Sequence, residues 1–207
     1  MSFSKEWKNL TCGKFKLKIH REVYEPAEDT YLLLDNIELK RGEFVLDLGT
    51  GCGILAIHAV DMGCTVIAVD INPYAVKNAL INVQENCLKN KIHIIRGDLF
   101  SPFRPYRLFD TILFNPPYLP IQSREGEWIE RAWSGGSSGR EIIDSFIDEA
   151  PKYLKRRGKI FIVQSSLSNI DETVNRLRSL KFKVEVKAER VFHFERLVLI
   201  SASKLKG

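Results

Sequence analysis

Phe44-Val45-Leu46-Asp47-Leu48-Gly49-Thr50-Gly51-Cys52-Gly53 decides the fold. Its first five residues are a short apolar run, which reads as a buried strand. Three alternate glycines follow, so the chain turns sharply, and residues 54–62 then read as a helix. The same unit recurs downstream. Thr65–Asp70 reads as a strand, and Pro73 to about Glu85 as a helix with proline near its start. Ile92–Arg96 and Phe109–Phe114 read as further strands. Residues 140–156 read as a helix that Pro151 must kink or divide. Lys159–Val163 is a fifth strand and 169–180 another helix. Phe182–Lys187 and Arg196–Ile200 close the chain as an antiparallel pair at the sheet edge. The alternation predicts an α/β fold: a mostly parallel seven-stranded sheet with helices on both faces.

The 207 residues suit one domain, and 44% hydrophobic content excludes a disordered chain. No apolar run nears the roughly 20 residues of a membrane helix. The first residues lack the apolar region of a signal peptide. A cytoplasmic protein with no membrane partner is therefore expected. Cys12, Cys52, Cys64 and Cys87 form no CxxC pair, and no histidine lies at zinc-ligand spacing, so no metal is expected.

The net charge of +5 is unevenly spread. Residues 1–24 carry 6 basic and 2 acidic side chains, residues 25–150 carry 11 and 19, and residues 151–207 carry 14 and 5. The middle is acidic and both ends are basic. Two basic ends that met in space would form a docking surface for an acidic partner; otherwise they are solvated faces.

In a sheet of this kind ligands bind beyond the carboxyl ends of the strands. After the first strand stands Asp47 with Gly49, Gly51 and Gly53, a GxGxG behind an acid. It reads either as a nucleotide-type cofactor loop or as a tight strand–helix turn. Asp70 ends the second strand, placed to hold ribose hydroxyls or to cap the helix that follows. Asp98 and Leu99 follow the third, as an adenine site or a solvated turn. Asn115-Pro116-Pro117-Tyr118 follows the fourth and is the strongest motif in the chain. Its prolines remove two N–H donors and leave carbonyl acceptors beside the flat Tyr118 ring. Such a site takes both protons of a planar –NH₂ group and leaves the nitrogen's electron pair directed one way.

These residues resemble the class I S-adenosylmethionine-dependent methyltransferases, whose fold is Rossmann-like. Asn-Pro-Pro-Tyr narrows the likeness to amino methyltransferases. Two more segments narrow it again. Tyr24-Glu25-Pro26-Ala27-Glu28-Asp29-Thr30 with Tyr31–Asp35 is similar to the N-terminal signature of the HemK/PrmC-related protein methyltransferases. Ala132-Trp133-Ser134-Gly135-Gly136 with Gly139-Arg140-Glu141 is similar to the loop of their short archaeal–eukaryotic branch. The resemblance implies methylation of the glutamine amide in the Gly-Gly-Gln motif of a class I translation release factor. By position, Asp47, Gly49, Gly51 and Gly53 would cradle S-adenosylmethionine. Asp70 would hold its ribose, Asp98 and Leu99 its adenine, and Thr30 would approach its methionine part. Asn115 and Pro116 would bind the substrate amide in the rigid frame of Pro117, with Tyr118 packed on it.

The resemblance also implies a heterodimer with a small zinc-binding activator, so the isolated chain is expected to be poorly soluble or weakly active. Two departures stand out. The family's acid at position 47 is often Glu. Bacterial members carry an N-terminal helical domain, for which this chain has room for only about 20 residues. A division into a 1–23 extension and a 24–207 methyltransferase domain is expected. Asn-Pro-Pro-Tyr also suits the exocyclic amine of adenine, so a DNA or RNA adenine methyltransferase is the alternative. Against it, no target-recognition domain is visible, although the basic ends suit phosphates. A non-catalytic cofactor-binding subunit is disfavoured by the intact motif, and a dehydrogenase by the missing GxGxxG spacing. Glu28 and Asp29 read as helix-capping acids, and Trp128 and Trp133 as loop anchors or as a cover over substrate.

Overall fold

Leu46, Leu48, Ile112 and Ile160 are fully buried, because the strands that carry them have helices or loops on both faces. The computed structural model describes residues 6–122 and 127–205. The chain begins with β1 (Trp7–Cys12), β2 (Phe15–His20) and α1 (Glu28–Asn36). The repeating part follows as β3 (Phe44–Leu48), α2 (Ile54–Asp61), β4 (Thr65–Asp70), α3 (Pro73–Glu85), β5 (Ile92–Arg96) and β6 (Phe109–Phe114). It is completed by α4 (Trp128–Arg131), α5 (Glu141–Tyr153), β7 (Leu154–Ser165), α6 (Ile170–Ser179), β8 (Phe182–Val191) and β9 (Arg196–Lys204).

The seven-stranded sheet has the order β5-β4-β3-β6-β7-β9-β8. Strands β3 to β7 pair in parallel, and β9 is antiparallel to both β7 and β8. The strand order reverses between β3 and β6, so a crevice opens at the carboxyl ends of β3, β4 and β6. No helix of the described residues is long and apolar enough to cross a membrane.

Two sequence expectations need correction. Helix α5 is not divided at Pro151; it runs through that residue and ends at Tyr153. Pro151 sits in the last turn, where the hydrogen bond it forfeits is near the end of the helix. Residues 154–156, expected to be helical, begin β7 instead. The other change is at the N-terminus, where the sequence reading saw no structure. There β1 and β2 form an antiparallel hairpin, with Leu17 and Ile19 buried in the main core.

That hairpin is held by asparagines spaced four apart on one face of α3. Asn78 Oδ1 accepts the His20 N–H at 2.8 Å, and its Nδ2 donates to the Lys18 carbonyl at 2.6 Å. Asn82 accepts the Lys18 N–H at 2.8 Å and donates to the carbonyls of Lys18 (3.0 Å) and Cys52 (2.8 Å). Asn86 donates to the Lys16 carbonyl at 2.8 Å. The side-chain amides thus do for β2 what a neighbouring strand would do.

The two basic ends flank α1, whose Asp35 lies near enough to Cys12 of β1 to act on its thiol and pairs with Arg190 of β8 at 3.0 Å. The hairpin rests on α3, on the β4–β5 side of the sheet, while β8 and β9 form the opposite edge. The hairpin's Lys8, Lys14 and Lys18 pair with Glu25, Asp61 and Glu85.

Candidate active site

The crevice is a cleft of about 610 Å³. It is lined by Thr30, Gly49, Gly51, Asp70, Asp98, Leu99, Asn115, Pro116 and Pro117 among others. Nine of the twelve residues singled out from the sequence therefore meet in one place. Asp47, Gly53 and Tyr118 are not on the lining; they support residues that are.

Gly49, Gly51 and Gly53 have φ of +62°, +57° and +86°, which a residue with a Cβ rarely adopts. The turn brings the backbone to Asp70, whose Oδ2 accepts the Gly51 N–H at 2.8 Å. Its Oδ1 accepts the Asn72 N–H at 2.9 Å. The cap of α3 is Asn72, whose side chain accepts from the Tyr74 N–H. Asp70 is thus a loop-organising acid with lone pairs left for a ligand. Burial raises its carboxyl above the ordinary range, and the bonds from Gly51 and Asn72 oppose that rise.

Asp47 lies beneath the loop, fully buried. Its Oδ2 accepts the Thr50 hydroxyl at 2.6 Å, while Oδ1 has no hydrogen-bond partner among the described residues. Burial pushes the carboxyl up to about 7; the Thr50 hydrogen bond opposes the rise and nearby Asp70 adds to it. Leu99 has φ of +43°, a strained value for a branched side chain, in a turn where Asp98 N–H donates to Ser101 Oγ at 3.0 Å.

Asn115 Oδ1 is buried and has no partner among the described residues. It stands at the end of β6 beside two residues without N–H groups, so nothing local competes for the acceptor. The feature missed from sequence is what holds this segment. Asp29, read as a helix-capping acid, is buried and accepts hydroxyl bonds from Tyr118 (3.1 Å) and Tyr24 (3.0 Å). It also accepts from the Thr30 N–H at 2.6 Å and the Thr30 hydroxyl at 3.2 Å. Burial, then Asp29, then Glu195 raise the Tyr24 phenol. Burial and Asp29, with Tyr24 and Glu195 adding, raise that of Tyr118. Both stay protonated donors. The spacing of Tyr24 and Asp29 was visible, but Tyr118 is 89 residues away from Asp29 in sequence. Glu28, by contrast, pairs with Arg190 at the surface.

The glycine-rich loop after α4 closes the far wall. Gly135 N–H donates to the Leu119 carbonyl at 2.9 Å, and Leu119 N–H to the Trp133 carbonyl at 3.0 Å. Trp133 packs edge-on against Tyr24 at 6.4 Å, and Arg131 lies over the Trp128 ring at 4.7 Å. Trp128 lines the cleft and Trp133 supports its wall. Among the described residues the lining carries four acids, Asp29, Asp70, Asp98 and Glu141, against one cation, Arg131.

The family described as "Methyltransferase small domain" matches residues 25–192. A chain from Methanocaldococcus jannaschii, assigned as a protein N5-glutamine methyltransferase, is 46% identical over 195 residues, covering 92% of this chain and 96% of that one. Methyltransferase HEMK2 of Homo sapiens is 35% identical over 173 residues, covering 76% of this chain and 78% of its own. Among solved structures, the Mtq2–Trm112 complex of E. cuniculi superposes with a TM-score of 0.67 at 25% identity, covering 89% of this chain and 99% of that chain. That complex is described as responsible for methylation of the eRF1 translation termination factor.

Proposed function

The chain belongs to the methyltransferase small domain family, and from that premise we propose that it methylates the side-chain amide nitrogen of a protein glutamine. The substrate is the Gly-Gly-Gln glutamine of a class I translation release factor, and the methyl donor is S-adenosylmethionine. The observation that carries this reading is the buried, unpartnered Asn115 Oδ1 at the mouth of β6.

The cleft fits the donor. Four acids against one cation suit a ligand with a positive sulfur. Glycines 49 and 51 leave the main chain open to close approach, with nothing nearer than 3.6 Å to the Cβ positions they lack. Asp70 would hold the ribose with its remaining lone pairs. Asp98 would accept from the adenine amine, with Leu99 packed on the ring. Thr30 would border the methionine part. Asp47 and Gly53 shape the loop from behind.

When bound, S-adenosylmethionine supplies a methyl carbon already activated by its sulfonium. The chain's own task is to aim a weak nucleophile. Asn115 Oδ1 and the Pro116 carbonyl accept the two amide protons of the substrate glutamine. Electron density shifts onto its nitrogen, and the lone pair points toward the donor. Pro117 stiffens the frame. The family resemblance would pack Tyr118 on the amide; here it lies behind the lining and braces the frame, its hydroxyl bonded to Asp29, which links the substrate side of the cleft to Thr30 on the donor side. The donor would supply the methyl group to this nitrogen from its sulfonium, and the surplus proton would leave the nitrogen afterwards, so no strong base is required of the chain.

Residues 1–23 are an extension whose β2 rests on α3, and 24–207 the methyltransferase domain. The protein works in the cytoplasm. Its partners are the release factor and a small zinc-binding activator; the Mtq2–Trm112 complex supports a second subunit, and its zinc rests on the family resemblance alone. The test is transfer from labelled donor to purified release factor, with and without such an activator, followed by mass spectrometry of the product. One methyl group on the Gly-Gly-Gln glutamine is expected. Label on adenine in DNA or RNA, with none on protein, overturns the reading.

A further inference from the structure

A second surface stands beside the cleft, at the same end of the sheet, where β7 ends and the chain turns from β8 into β9. Leu197, near the start of β9, pairs with Ser165 at the end of β7, so the tip of the β8–β9 hairpin lies level with the ends of the parallel strands. The Phe192 N–H donates to the Glu195 carbonyl at 2.7 Å and closes the tip. The Arg196 N–H donates to Ser166 Oγ at 3.0 Å and ties the tip to the turn after β7. That turn meets the Asn-Pro-Pro-Tyr segment at Gly139, where a Cβ would stand 2.4 Å from the Tyr118 carbonyl oxygen and 3.0 Å from the Ser168 Cβ. Glu195 is close enough to Tyr118 and Tyr24 to add to the rise of both phenols. Strand β9 is two strand spacings, about 10 Å, from β6, which ends in Asn115.

This rim is apolar. Of the thirteen large apolar side chains exposed among the described residues, six stand along it: Ile121, Trp133, Leu167, Val191, Phe192 and Phe194. Phe194, at the tip, is 91% exposed. Exposed apolar side chains gathered in one place mark a contact with another molecule. The arginines that flank the tip are paired, Arg190 with Glu28 and Asp35, and Arg196 with Glu189 at 3.4 Å. Glu195 Oε1 is buried and has no hydrogen-bond partner among the described residues. A phosphate backbone needs free cations, so aromatic rings beside paired arginines and an unpaired carboxylate do not suit nucleic acid. They suit a polypeptide with apolar side chains.

We propose that this rim docks the protein substrate, taking apolar side chains that stand about three residues from the methylated glutamine. The proposal rests on the release-factor reading and adds the surface that selects the protein around the glutamine. The cleft admits one side-chain amide, so the chain that carries it must run out across the mouth. Extended chain advances about 3.3 Å per residue. Three residues therefore cover the roughly 10 Å between the ends of β6 and β9. Asn115 then orients the amide, and Leu167, Phe192 and Phe194 hold what flanks it.

The test is steady-state methyl transfer from labelled donor to purified release factor, using the full chain, with the activator if the parent requires it. The double variant Phe192→Ser, Phe194→Ser should raise KM for the factor at least about tenfold and keep kcat within about twofold. Its affinity for S-adenosylmethionine by calorimetry should match the parent's. Phe194→Leu keeps an apolar side chain and should stay within about threefold of the parent. A control double that removes exposed rings and chains elsewhere, Tyr106→Ser with Leu180→Ser, should stay within about twofold. Circular dichroism of all variants should match the parent. An unchanged KM in the tip double overturns the docking, whether the tip then proves to bind phosphatidylglycerol vesicles or a second copy of the chain. Equal rises in the two doubles, or a fall in kcat alone, overturn it as well. A parent that methylates nucleic acid and no protein overturns both the release-factor reading and the docking. A parent that methylates the factor while the tip double keeps its KM overturns the docking alone.

Discussion

The carboxyl ends of β3 to β6 and the amino ends of β6 and β7 belong to one sheet, and they are built in opposite ways. At the carboxyl ends the polar groups are buried acceptors. Asp29 and Asp47 are taken out of water, Asp70 is half-buried, and the Asn115 oxygen is left unpaired. At the amino ends the polar groups are exposed donors on a bulge, most of them arginines and lysines. Buried acceptors act over one bond length and depend on their supports. Exposed donors act through summed charge and tolerate change one at a time. The first arrangement orients a single amide; the second is a solvated charged face.

The largest effect that separates the two ends is expected at Asn115. Replacing it by Ala should lower the rate of methyl transfer about 10²–10³-fold, with donor affinity by calorimetry nearly unchanged. A loss confined to donor binding would move Asn115 from the substrate side to the cofactor side. Tyr118→Phe comes next. It removes a 3.1 Å bond to a buried carboxylate and should cost about 1–2 kcal/mol in urea unfolding, with a smaller loss of rate than Asn115→Ala. Unchanged stability would show that Tyr24 and Thr30 satisfy Asp29 without it.

A third effect is a pH dependence confined to the buried end. The Asp47 carboxyl takes its proton near pH 7 when folded and near 3.8 otherwise. Between those values the folded protein binds more protons than the unfolded one, so this group's contribution to stability falls as pH rises. The penalty is absent below the lower value and complete above the upper. The stability difference between the parent and Asp47→Asn should drift against the parent from about pH 4 to pH 7 and then level off. A flat difference across that range would mean that Asp47 is not a buried titrating acid. The smallest effect is expected at the exposed end. Arg107→Ala should move the melting temperature by less than about 2 °C and leave methyl transfer to protein untouched. A large shift would show that Arg107 is part of the fold's support rather than of the surface.

Most of the sheet was legible because burial on both faces leaves apolar runs that end where the chain turns. Asp47–Gly53, Asp70, Asp98–Leu99 and Asn115–Tyr118 were legible for the related reason that they end such runs. The hairpin was not. Its partner is a helix, and the bonds come from Asn78, Asn82 and Asn86, whose spacing on α3 carries no mark of what it will hold. Helix α5 was read too long because the residues after Pro151 have no periodicity of their own and are taken up by β7.

The sequence by itself therefore determined the layered α/β architecture, the glycine loop and the amide-binding motif, since each depends on neighbours a few residues apart. Only the tertiary structure decided that Asp29 joins Tyr24 to Tyr118, that asparagines of α3 hold the N-terminal hairpin, and that β7 carries three extra residues against β6. Those facts depend on which strands lie side by side and in what register, and on contacts across 45 to 89 residues that no local pattern encodes.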